Sequence, residues 1–62
     1  RAILDYDKAI ELAPNVAFAY FGRGLAYGNK GQYDRAILDL KTAAQLGDMS
    51  AQKFLRENGI AW

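Results

Sequence analysis

The chain reads RAILD at Arg1–Asp5 and RAILD again at Arg35–Asp39. Set without gaps, RAILDYDKAIELAP (1–14) and RAILDLKTAAQLGD (35–48) agree at seven of 14 positions: the shared pentapeptide, Ala9/Ala43 and Leu12/Leu46. The offset is 34 residues. A fixed period in so short a chain constrains the fold more than any single motif: one supersecondary unit recurs and buries its apolar face on its neighbours.

Both copies have helical periodicity. Ala36, Ile37, Leu40, Ala43 and Ala44 form one stripe at helical spacing, and Ala2, Ile3, Tyr6, Ala9 and Ile10 repeat it. Asp34 places negative charge in the first turn of the second copy, where the helix dipole favours it. Gly47 is a C-terminal stop, and Pro14 ends the first copy because it cannot continue a helix. Arg1/Asp5 and Arg35/Asp39 read as i,i+4 pairs on the solvent side, worth a few tenths of a kcal/mol each.

Between the copies, Asn15 is the expected N-cap of a helix over Val16–Lys30, and Gly31 is its break. Helix, glycine turn and helix make an αα-hairpin. The tail gives a shorter helix over Met49–Glu57, capped by Asp48 or Ser50 and stopped by Asn58-Gly59. The expected architecture is all-α: one domain, 1–62, with 1–13 the second helix of a partial unit, 17–50 a complete unit and 49–58 a capping helix.

A helix–turn–helix unit of 34 residues resembles the tetratricopeptide repeat. That family carries an aromatic, a small residue and an aromatic on its first helix, here Tyr20, Gly24 and Tyr27. It then carries Gly, Tyr, Ala, a large apolar residue and Ala, here Gly31, Tyr33, Ala36, Leu40 and Ala43. Pro14 and Asn15 match its usual junction. The physical reading is that Gly24 and Ala36 let two helices approach while Tyr20, Tyr27 and Tyr33 fill the spaces beside them. The likeness covers residues 1–50. Beyond that, Asp48 stands for the junction proline, and Asn58 and Ala61 stand one period after Gly24 and Tyr27, so the array is expected to stop. LGDMSAQKFL is also similar to related α/α repeats of longer period.

Chemistry has little to work with. There is no His and no Cys, so the usual acid–base residue, thiol nucleophile and soft metal ligands are missing. Ser50 is the only serine, with no base near it in sequence, and Asp5 and Asp7 lie on different helix faces. The reading is of a non-enzyme with no cofactor and no metal. GRGLAYGNKG matches neither phosphate-loop pattern and follows no strand. Gly22 and Gly28 are left with two readings, close approach by a neighbouring helix or by a ligand. Eight basic and seven acidic residues give no bulk charge to attract nucleic acid or a membrane surface. No apolar stretch is long enough to span a bilayer, and nothing resembles a signal peptide. Lack of Cys fits a reducing compartment, which favours the cytoplasm. Arg rather than Met at the first position reads as a fragment or a processed segment.

Phe18, Phe21 and Leu25, with Asn29 below them, form a second stripe on the middle helix. The resemblance implies that this stripe lines a concave groove, with Gln52 and Arg56 as further polar anchors for a peptide or helix of a partner protein. Three such side chains fully buried contribute about 5–8 kcal/mol. Packing on neighbouring helices and self-association are the other fates of this stripe. Repeats that clamp acidic C-terminal tails of chaperones use Lys and Asn where Phe21 and Leu25 stand, which disfavours that role. An alternative function is assembly: Ile3, Tyr6 and Ile10 lack the helix that normally covers them and would pair with another copy, giving a homo-oligomer, or with the rest of a longer array.

Overall fold

The computed structural model describes residues 2–62. It holds four helices in chain order: α1 (Ala2–Leu12), α2 (Ala17–Asn29), α3 (Tyr33–Gln45) and α4 (Met49–Glu57). Each packs on its neighbour in sequence, and α2 against α3 is the most extensive contact. The molecule measures 30 × 24 × 14 Å. Among the described residues there is no strand. This is the expected all-α helix–turn–helix arrangement.

Glycine sets the helix ends. Gly31, Gly47 and Gly59 all have positive φ, at 82°, 104° and 69°. At each, the residue after the glycine donates back to the carbonyl five positions earlier: Gln32 to Tyr27 at 2.9 Å, Asp48 to Ala43 at 2.9 Å and Ile60 to Leu55 at 2.8 Å. These are Schellman caps, which satisfy the last carbonyls of a helix and reverse the chain. The following helix can then start at once. For α4 the cap is Asp48, whose Oδ1 accepts from the Ala51 backbone N–H at 3.0 Å. The residue that replaces a junction proline therefore starts the helix instead.

The expected cap of α2 is corrected. Asn15 sits in a turn one residue too early, and the N-cap is Val16, in extended conformation with no side-chain cap bond. The Val16 N–H reaches back to the Ala13 carbonyl at 3.3 Å, closing a turn around Pro14 and Asn15. That turn fixes where the helix begins and leaves Asn15 outside it.

The core is built from small residues. Ala19, Ala36, Ala43, Ala44 and Ala51 are buried together with only two larger apolar residues, Leu40 and Leu55. Of these, Leu40, Ala43, Ala44, Ala51 and Leu55 form one cluster, and Tyr20, Phe21, Ile37 and Ile60 pack around it. Alanine and glycine at a helix crossing bring the two backbones close, so the packing is backbone-near rather than filled by long side chains. A Cβ built on Gly24 would lie 3.1 Å from the Ala36 carbonyl oxygen and 3.2 Å from Leu40 Cγ. On Gly22 it would collide with the ring of Tyr6 from α1. Of the two readings left open for Gly22, the neighbouring helix is therefore the occupant. Tyr33 departs from expectation: it is 68% exposed and fills no interhelical space.

The glycines make a paired prediction. A Cβ at Gly28 meets only Ala36 Cβ, at an ordinary 3.9 Å. Gly28→Ala is expected to stabilise the chain by about 0.5–1 kcal/mol through helix propensity. Gly24→Ala is expected to destabilise it by about 1–3 kcal/mol through overpacking. Thermal or urea denaturation followed by circular dichroism checks both; a common sign for the two variants contradicts the packing account.

Candidate partner-binding surface

The exposed part of the predicted stripe comes from α2. Phe18 is 65% exposed and Leu25 48%; Asn29 is exposed at the end of the helix. Phe21 is half-buried and packs on the core cluster. From α4, Arg56 is exposed, whereas the Gln52 amide donates to the Ala44 carbonyl at 2.9 Å and ties α4 to α3. Leu25 and Asn29 meet in one concavity of about 230 Å³. Tyr33, Ile37 and Leu40 of α3 and Phe54 of α4 complete its sides, over a floor of Gly24, Gly28 and Ala36. Phe18, Phe21, Gln52 and Arg56 are not part of its lining.

The lengths of the helices explain why this notch is open. Helix α2 has 13 residues and α4 has nine. The shortfall of four residues is about 6 Å of helix at the usual rise. Phe54, near the end of α4, is 40% exposed, and beyond it the chain turns back at Gly59 instead of covering Ile37 and Tyr33. Sequence reasoning passed over Phe54, Tyr33 and Ile37 as wall residues. The available signal was the early Asn58-Gly59 stop, which shortens α4 relative to α2.

A second concavity, of about 540 Å³, lies between α1 and the end of α2. Ala2, Ile3 and Leu4 line one side, and Tyr27, Lys30 and Arg35 the other. Of the residues expected on a self-association face, Ile3, Tyr6 and Ile10 are all half-buried, and Tyr6 lies over Gly22. The exposed large apolar residues of α1 are Leu4 and Leu12.

A polar junction ties three of the helices together. Arg23 of α2 grips Asp39 of α3 with two bonds, Nε to Oδ2 at 2.8 Å and Nη2 to Oδ1 at 2.9 Å. Its Nη1 donates to Asp7 Oδ1 of α1 at 2.8 Å. The guanidinium lies 5.8 Å from the Tyr20 ring centroid and 5.9 Å from that of Tyr27, and the Arg35 guanidinium lies 5.7 Å from the Tyr27 centroid. The hydrogen bonds that Arg23 donates to Asp39 raise its pKa further above the ordinary value; desolvation opposes this, and the bond donated to Asp7 adds to it. A raised pKa means the stabilisation is fully present below the ordinary arginine range and lost only above it. The solvent-side reading of Asp39 is thereby corrected: it is 6% exposed and bonded across helices, not along its own. The matching pair in the first copy involves Arg1, which lies outside the described residues.

With the geometry in place, the chain can be set beside known proteins. Residues 5–38, one full period, match the family described as tetratricopeptide repeat. The chain belongs to the tetratricopeptide repeat family. It is also 38% identical over 55 residues to the small glutamine-rich tetratricopeptide repeat-containing protein 2 of Mycosarcoma maydis. That alignment covers 89% of this chain and 16% of the relative, so the chain spans about a sixth of the relative's length. No solved structure gives a significant match. Membership of the tetratricopeptide repeat family implies a protein–protein interaction scaffold. Among the described residues no group of three acidic side chains is placed to hold a metal. Among the same residues no helix is long and apolar enough to cross a membrane.

The junction at Arg23 gives a graded prediction. Asp39 is buried and held by two bonds, while the Asp7 side chain is 44% exposed and held by one. Asp39→Asn is expected to cost about 1.5–3 kcal/mol and Asp7→Asn under about 1 kcal/mol. Urea denaturation measures both; equal effects contradict the unequal burial.

Proposed function

We propose that this tetratricopeptide repeat module binds a peptide or helix of a partner protein through the notch between α2, α3 and α4. The observation that carries the reading is the convergence of Leu25, Tyr33 and Phe54, all substantially exposed, on one concavity floored by glycine and alanine. Partly exposed apolar walls around a small floor are suited to one aliphatic or aromatic side chain of a partner, the usual anchor of such contacts. Phe18 extends the apolar surface along α2 from this anchor point. Asn29 offers an amide at the mouth, and Arg56 a cation on the neighbouring helix. No step of catalysis belongs to the proposal.

The test is a selection of binding peptides from a random library on the intact chain, followed by titration against variants. Leu25→Ala and Phe54→Ala are expected to weaken binding about tenfold or more, with the helical spectrum retained. Unchanged affinity in both folded variants rejects the notch as the site.

A second reading is assembly, favoured by the exposure of Leu4 in the hollow of α1 and of Leu12 at the other end of that helix. There the occupant is another copy or further repeats of a longer array. It requires a sedimentation coefficient that rises with chain concentration; a constant monomeric value excludes pairing of copies.

A further inference from the structure

Asn58-Gly59, the stop of α4, carries a reaction that the fold must hold in check. Glycine has no side chain to shield its amide nitrogen, so an Asn-Gly bond is open to attack from within the chain. After base removes its proton, the Gly59 nitrogen can add to the Asn58 side-chain carbon. A nitrogen–carbon bond forms, the bond from that carbon to Nδ2 breaks, and ammonia leaves. Water then opens the cyclic imide at either carbonyl, giving aspartate or isoaspartate at position 58. Nothing is oxidised or reduced, and water is the only co-reactant.

The structure opposes this chemistry at each atom. Asn58 has ψ of 9°, which turns the Gly59 nitrogen away from the carbon it must reach. The Gly59 N–H donates to the Arg56 carbonyl at 3.1 Å, which hinders removal of its proton. The Asn58 Nδ2 group donates to the Phe54 carbonyl at 2.8 Å, fixing the side chain back along the helix. The next residue, Ile60, donates to the Leu55 carbonyl at 2.8 Å and packs against the core, so the turn is pinned on both sides. Yet Asn58 and Gly59 are exposed, and water reaches them freely.

We infer that Asn58 is a latent deamidation site, held off by the C-terminal cap of α4 and released when that cap opens. The product adds a negative charge beside Glu57 at the end of a helix, where the dipole disfavours it. It also removes the amide donor that holds the Phe54 carbonyl. Once formed, it loosens the last turn of α4 and with it one wall of the notch. The modification itself does not depend on the binding reading. Asn15 and Asn29 precede Val16 and Lys30, whose side chains hinder the same attack, and they serve as internal references.

The experiment incubates the intact chain at mildly alkaline pH, with and without denaturant, and follows the tryptic peptide Glu57–Trp62 by mass spectrometry. Conversion at Asn58 is expected to be about tenfold or more slower in the folded chain, because the opened cap is a minor population. Asp48→Ala, which removes the N-cap of α4, is expected to fall between the two rates or reach the denatured one. Equal rates in the folded and denatured wild-type chain overturn the inference, as does faster conversion at Asn15 or Asn29 than at Asn58 in denaturant.

Discussion

The close approach of α2 and α3 is the constraint on which the other features depend. Gly24 and Ala36 let the two backbones meet with little side chain between them, and Ala43, Ala44 and Ala51 continue that arrangement to α4. A chain of 62 residues closes only a small core and, without cysteine, has no disulfide to add. Dense packing of small residues is the remaining source of cohesion. The same choice shapes the surface. Where the floor is glycine and alanine, the larger side chains at its margins stand up as walls, and the notch is the consequence.

Arg23 completes what the small residues begin. Its guanidinium bonds α3 through Asp39 and α1 through Asp7 from a single position on α2. Alanine stripes are geometrically permissive, since they allow helices to slide. A planar fork with two fixed acceptors is not permissive. The ion pair therefore selects one register among several that the apolar stripes alone would accept. The aromatic faces of Tyr20 and Tyr27 flank the charge, so its desolvation is offset from more than one side.

Much of the fold was legible because it is written periodically. The repeated RAILD, the apolar stripes and the glycine stops gave four helices, their order and the close contact at Gly24. Two details of the fold escaped for physical reasons. Asp39 was read as a solvent-side partner of Arg35 because i,i+4 spacing is visible in sequence, whereas a partner 16 residues away on another helix is not. The repeat offers no second example to learn from: one period after Arg23 and Asp7 stand Glu57 and Lys41, with the charges reversed. Asn15 has good capping chemistry, but the turn around Pro14 puts the N-cap one residue later, at Val16. The proposed site was legible in half. The stripe holding Leu25 and Asn29 follows from helical spacing, and its place on a groove from the family resemblance, but Phe54, Tyr33 and Ile37 join them only because α4 ends early, a tertiary consequence of chain length between two glycines.

The notch as the point of contact is most directly tested by residue-resolved mapping: amide chemical shifts of the labelled chain recorded while a selected peptide is titrated in. The account predicts perturbations centred on Leu25, Asn29, Tyr33, Ile37 and Phe54, with α1 left unchanged. Perturbations confined to α1, around Leu4 and Leu12, would contradict it.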